Sequence, residues 1–133
     1  MSRIVKCAHI QASNAKHDGT PAEIKAAMIQ KHIPLIEEAG KKGTQILCLQ
    51  EIFYGPYFCA EQDIKWYGTA EKVPGPTVER LAEYAKKYHM VMVIPVYEME
   101  IEGVYYNTAA VVDADGTYLG KFRKIHIPHT WPG

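Results

Sequence analysis

The chain has 133 residues, 47% of them apolar and 23% charged, a size and composition for one globular domain and against a disordered chain. Fifteen basic residues balance fifteen acidic ones, so no net positive field argues for binding to nucleic acid or to an anionic membrane. No apolar run approaches the ~20 residues that a membrane-spanning helix needs, and the alternating start, with Arg3 and Lys6, does not read as a signal peptide.

Residues 3–11 alternate and predict a first strand. A loop then leads to a helix start: Thr20 as N-cap, Pro21 at the first helical position and Glu23 completing a capping box. Ile24, Met28, Leu35, Ile36 and Ala39 keep one face of this helix apolar. Pro34 lies inside it and should kink it, because proline lacks the backbone donor and crowds the carbonyl of Gln30. Lys41, Lys42 and Gly43 suit its end. Residues 45–50 predict a short strand, apolar enough to be buried on both faces, with Glu51 at its C-terminal mouth.

Residues 60–72 leave room for a short helix. Val73, Pro74, Gly75 and Pro76 form a rigid turn into a second helix over residues 77–89, with Val78, Leu81, Ala82, Ala85 and Tyr88 on one face. Residues 90–97 read as an apolar strand, Gly103 turns it into 104–112, and Asp113 to Gly116 make a hairpin toward 117–125. The order is β-α-β-α-β and then an antiparallel meander, one α/β domain over residues 1–133 with no linker. Several strands are apolar on both faces, so the sheet calls for more cover than two helices. The closing loop, residues 126–133, reads as a fold cut short.

A carboxylate at the mouth of a buried strand is costly to place, and open α/β sheets put their chemistry there. Glu51 is therefore the first candidate residue, although a strand-end acid that pairs with a lysine is the plainer alternative. Lys124, in the run Phe122 to His126, is the second. Held together in a cleft, the two would make a general base beside an oxyanion-stabilising cation; spacing alone does not show that they meet. Tyr54, Tyr57 and Trp66 could line a substrate pocket or could simply pack. Cys7, Cys48 and Cys59 show no short-range pairing, which suits reduced thiols in the cytoplasm. Cys7 and Cys48 lie mid-strand as small core residues, and Cys59 is the loop cysteine nearest Glu51. His126 and His129, separated by a stretch with Pro128, are not a helical ligand pair, and no metal or other cofactor is assigned.

Leu49, Gln50, Glu51, Ile52 and Phe53 before Gly55, Pro56, Tyr57 and Phe58 resemble the first catalytic segment of the nitrilase, or carbon–nitrogen hydrolase, superfamily. Tyr106, Asn107 and Thr108, then Asp115 and Gly116, then Gly120 to His126 resemble the second, and the turn from Pro74 to Thr77 also matches. The resemblance covers essentially the whole chain and is nearest to the β-ureidopropionase and N-carbamoyl amidohydrolase branch.

The resemblance implies the first half of a four-layer αββα sandwich and a homodimer or larger homo-oligomer. It implies hydrolysis of an N-carbamoyl amino acid or amine, or of a linear amide, through a cysteine thioester. In that scheme Glu51 is the general base and Lys124 holds the oxyanion. Tyr54, Tyr57 and His126 are candidate substrate-binding residues on the reading of the residues themselves, with His126 also placed to orient the Lys124 segment. The family's nucleophilic cysteine lies beyond the lysine segment, and none of the three cysteines here has its context. A catalytically silent structural or assembly piece is the alternative expectation.

Overall fold

A computed structural model describes residues 4–56 and 63–127. In chain order these form β1 (Cys7–Ile10), α1 (Pro21–Lys41), β2 (Ile46–Leu49), a 3-10 helix (Ile64–Thr69), α2 (Pro76–Tyr88), β3 (Val91–Ile101), β4 (Val104–Val112) and β5 (Tyr118–Arg123). The strands lie in one five-stranded sheet in sequence order. β1, β2 and β3 run parallel, each connected through a helical segment, and β3, β4 and β5 are antiparallel.

Local chemistry accounts for the helices. The Thr20 side chain accepts from the Glu23 N–H, and the Glu23 carboxylate accepts from the Thr20 N–H, so the expected capping box forms. α1 continues through Pro34 as one helix and ends where Gly43 takes a φ of 72°, a conformation that costs glycine little. α2 has no side-chain cap from Gly75. Glu71 supplies one from outside the helix: its carboxylate accepts from the Thr77 N–H at 3.1 Å and the Thr77 hydroxyl at 2.8 Å, a favourable place for negative charge. Lys25 of α1 neutralises Glu71 at 2.7 Å. The two helices touch at Gly40, where any Cβ would meet the Tyr88 ring.

The sheet is covered on one face. Leu47, Leu49, Met92, Ile94, Val96, Ala110 and Val112 point into a core shared with Met28, Ile36, Val78, Leu81 and Ala85 of the helices. The alternate residues do not have such cover. Ile46 is 37% exposed and Phe122 62% exposed, and Cys7 is exposed while Cys48 is half-buried. Two expectations are thereby corrected: β2 is not buried on both faces, and Cys7 and Cys48 are not core residues. Strand alternation sends both thiols to the face that α1 and α2 do not reach. Among the described residues, α1 and α2 cover one face of these strands only.

Candidate functional site

Glu51 begins a tight turn immediately after β2. Ile52 has a φ of 43°, the Phe53 N–H donates to the Pro95 carbonyl, and the Gly55 N–H donates back to Ile52. Phe53 and Tyr54 drop into the core beneath the turn and are fully buried. The Tyr54 hydroxyl donates to the Tyr97 carbonyl and accepts from the Tyr97 N–H, both at 2.9 Å. Glu51 is thus carried on a turn bolted to β3, with its own side chain 55% exposed.

Lys124 follows the last residue of β5. Its backbone N–H donates to the Asn107 carbonyl at 2.8 Å, so the β4–β5 pairing extends one step past the strand end. Its ammonium lies 2.7 Å from Glu51 Oε1. The Asn107 amide donates to the same oxygen at 2.6 Å. The hydrogen bond from Lys124, and next the one from Asn107, hold the Glu51 carboxyl below the usual carboxylate range, against a weaker upward push from burial. At neutral pH the group is a carboxylate touching a cation.

The opposite face of the same strands carries a second cluster. Thr108, next to Asn107, donates to Glu98 Oε2 at 2.6 Å. Arg123, next to Lys124, donates to Glu98 through Nε at 3.0 Å and Nη2 at 2.7 Å. Lys121 adds a third partner at 2.5 Å. The Arg123 guanidinium also lies over the Tyr106 ring, 3.8 Å from its centroid. Burial pushes the Glu98 carboxyl up, but the bonds from Arg123, Lys121 and Thr108 outweigh it and hold the group at about 2. Side chains alternate across a strand, so one buried acid grips Thr108 and Arg123 while their neighbours Asn107 and Lys124 grip Glu51.

Of the residues expected at the site, the fold brings Glu51 and Lys124 together. Tyr54 is corrected: its ring is wholly buried and both hydrogen-bonding roles of its hydroxyl are taken by Tyr97, so it supports the Glu51 turn and does not line a pocket. Burial, with the nearby Glu71 charge, raises its phenol far above the ordinary value. Trp66 is likewise buried. His126 is exposed and forms no hydrogen bond with the described residues. Tyr57, Cys59 and His129 lie outside the described residues. Burial raises the Cys48 thiol, which disfavours the thiolate a nucleophile needs. Asn107 and Arg123 belong to the segments matched in the sequence but were given no role there, and Glu98 carried no signal, because its partners are fixed only by strand register.

The fold has close relatives among solved structures. A carbon-nitrogen hydrolase from Helicobacter pylori G27 superposes with a TM-score of 0.79 at 26% identity, over 93% of this chain and 40% of that one. Saccharomyces cerevisiae Nit3, a nitrilase-superfamily member, superposes with a TM-score of 0.70 at 27% identity, over 92% of this chain and 44% of that one. The architecture is that of the nitrilase superfamily. Residues 6–133 match the profile of the carbon-nitrogen hydrolase family, and the chain belongs to that family. It is 38% identical over 129 residues to a beta-ureidopropionase of Arabidopsis thaliana, covering 95% of this chain and 32% of that protein. It is 43% identical over 95 residues to an N-carbamoylputrescine amidase of Oryza sativa subsp. japonica, covering 71% of this chain and 31% of that protein. The chain spans about a third of the length of these curated relatives.

Proposed function

We propose that these residues carry two of the three working groups of a hydrolase for non-peptide C–N bonds, acting on an N-carbamoyl amino acid or amine or on a linear amide. The observation that carries the reading is the 2.7 Å contact between Lys124 Nζ and Glu51 Oε1, formed across 73 positions of sequence. A carboxylate and an ammonium in contact at strand ends can divide the labour of acyl transfer. Glu51 takes the proton of a cysteine thiol as the sulfur attacks the carbonyl carbon. Lys124 stabilises the negative oxygen of the tetrahedral intermediate. Collapse breaks the C–N bond, and Glu51 passes its proton to the departing ammonia or amine. Water then attacks the thioester, Glu51 takes the water proton, and the thiol is restored.

The nucleophile is proposed to come from sequence outside these 133 residues, since Cys48 is disfavoured and Cys7 starts β1, at the end of the strand away from its C-terminal mouth at Ile10. Tyr57 and His126 stay proposed as neighbours of the substrate. The proposal extends to a cytoplasmic homo-oligomer. The exposed apolar face of the sheet also favours a second reading, a catalytically silent structural or assembly module.

Ammonia release from N-carbamoyl-β-alanine and from linear amides separates the two. The full-length protein should turn over at least one of them, and Glu51→Ala and Lys124→Ala should each abolish that turnover. The 133-residue chain alone should release no more ammonia than its Glu51→Ala variant. Absence of turnover by the full-length protein would leave the assembly reading.

A further inference from the structure

We propose that Asn107 is a positioning residue that sets the geometry of the Glu51–Lys124 pair and leaves Glu51 Oε2 as the oxygen that moves the proton. The inference rests on the reading of Glu51 as base and Lys124 as its cationic partner.

Asn107 touches both groups by different atoms. Its side-chain amide donates to Glu51 Oε1 at 2.6 Å, and its backbone carbonyl accepts from the Lys124 N–H at 2.8 Å. The turn after β2 and the end of β5 meet directly in the Lys124–Glu51 bond, and β4, which carries Asn107, lies between β3 and β5 in the sheet. Asn107 is thus placed to fix one against the other. Its own position is determined from both sides. It pairs with Tyr97 of β3, whose backbone holds Tyr54 of the Glu51 turn, and the next residue, Thr108, is tied to buried Glu98.

The two side-chain donors converge on one oxygen. Asn107 Nδ2 and Lys124 Nζ both bond Oε1, while Oε2 forms no hydrogen bond with the described residues. A carboxylate with one oxygen doubly occupied cannot rotate without losing both bonds, so the other oxygen presents its lone pairs in a fixed direction. The residue type suits the task. An amide is a neutral donor that does not titrate, so it orients the base without competing for its proton. A carboxylate in the same place would repel Glu51, and alanine would leave Lys124 as its one hydrogen-bond partner among the described residues.

The test uses the full-length protein in wild-type, Asn107→Ala and Asn107→Asp forms, with two readouts. The first follows the 13C carboxyl resonance of Glu51, identified by its loss in Glu51→Gln, through a pH titration. Its midpoint should rise in Asn107→Ala and rise further in the isosteric Asn107→Asp. The backbone amide of Lys124 should keep its hydrogen-exchange protection in Asn107→Ala, because the carbonyl that holds it is retained. The second readout is turnover: kcat should fall roughly 10–100-fold with KM little changed, and the acidic limb of the kcat/KM profile should move up with the Glu51 midpoint. An unchanged Glu51 midpoint in both variants would overturn the proposal, as would loss of KM alone. If the wild-type protein turns over nothing, the hydrolase reading fails while the titration still decides the role of Asn107. Should Asn107→Ala fail to fold, the isosteric Asn107→Asp carries the same test.

Discussion

Glu98 is the most tightly held charge among the described residues, and its effect is structural. Its side chain is 1% exposed and meets Lys121, Arg123 and Thr108. Removing one partner of a buried ion pair is costly because the remaining charges stay partly desolvated. Glu98→Gln keeps the shape but loses the charge, so it should destabilise the fold by roughly 1–3 kcal/mol at neutral pH in urea unfolding. The pH dependence has a definite sign. The carboxyl sits at about 2 in the fold, against about 4.3 in an unfolded chain, so the unfolded state binds the proton first. The stabilisation is complete above about pH 4.3 and is lost as pH falls through about 2. Wild-type stability should therefore drop over this acid range more steeply than that of Glu98→Gln, and parallel profiles would refute the assignment. The same variant should disturb the Glu51 pair, because Thr108 and Arg123 are the neighbours of Asn107 and Lys124. Nothing in the sequence marked this residue. Glu98 lies 25 positions from Arg123 in a strand expected to stop at Tyr97, and only the register of three strands makes it a partner.

Between helices, caps of similar local geometry should differ in worth. Thr20 is an exposed cap made by the residue next to the helix, whereas Glu71 reaches α2 from six positions away and is 7% exposed. Thr20→Ala should cost about 1 kcal/mol, the usual loss for an N-cap. Glu71→Ala should cost about 2–4 kcal/mol, because it also leaves the buried Thr77 donors without their acceptor and takes the counter-charge from the Lys25 ammonium, which keeps its bond to the Thr69 carbonyl. Equal losses in chemical denaturation would show that the burial of Glu71 contributes nothing. The first cap was legible in the sequence because Thr20, Pro21 and Glu23 lie within one turn. The second was not, since it depends on Glu71 pairing with the end of β3, where its N–H meets the Tyr97 carbonyl and its own carbonyl the Met99 N–H. The helix contact at Gly40 has the same character. Tyr88 could be assigned to an apolar face from its spacing, but the space for its ring is the missing side chain of a residue 48 positions earlier.

Over the whole molecule, the order of elements along the chain and the antiparallel meander followed from alternating strand and helix signals, whereas burial did not. The apolar run of β2 predicts burial on both faces, and the described residues cover one. Ile46, Phe122 and Leu119 of β5, the last at 58% exposure, remain open, and contiguous exposed apolar surface favours association. The expected second layer of a four-layer sandwich would lie against this face. The 133-residue chain should therefore bind a hydrophobic dye and self-associate in sedimentation, and the full-length protein should do the first far less. Phe122→Lys in the short chain should lower dye binding and association without weakening the fold, because its side chain lies on the uncovered face. In the full-length protein the same substitution should destabilise by roughly 2–4 kcal/mol, the cost of placing a charge in a newly buried contact. A short chain that melts cooperatively as a dye-free monomer, with Phe122→Lys equally harmless in both lengths, would mean that this face is solvent-exposed in the native protein and that the sandwich expectation is wrong.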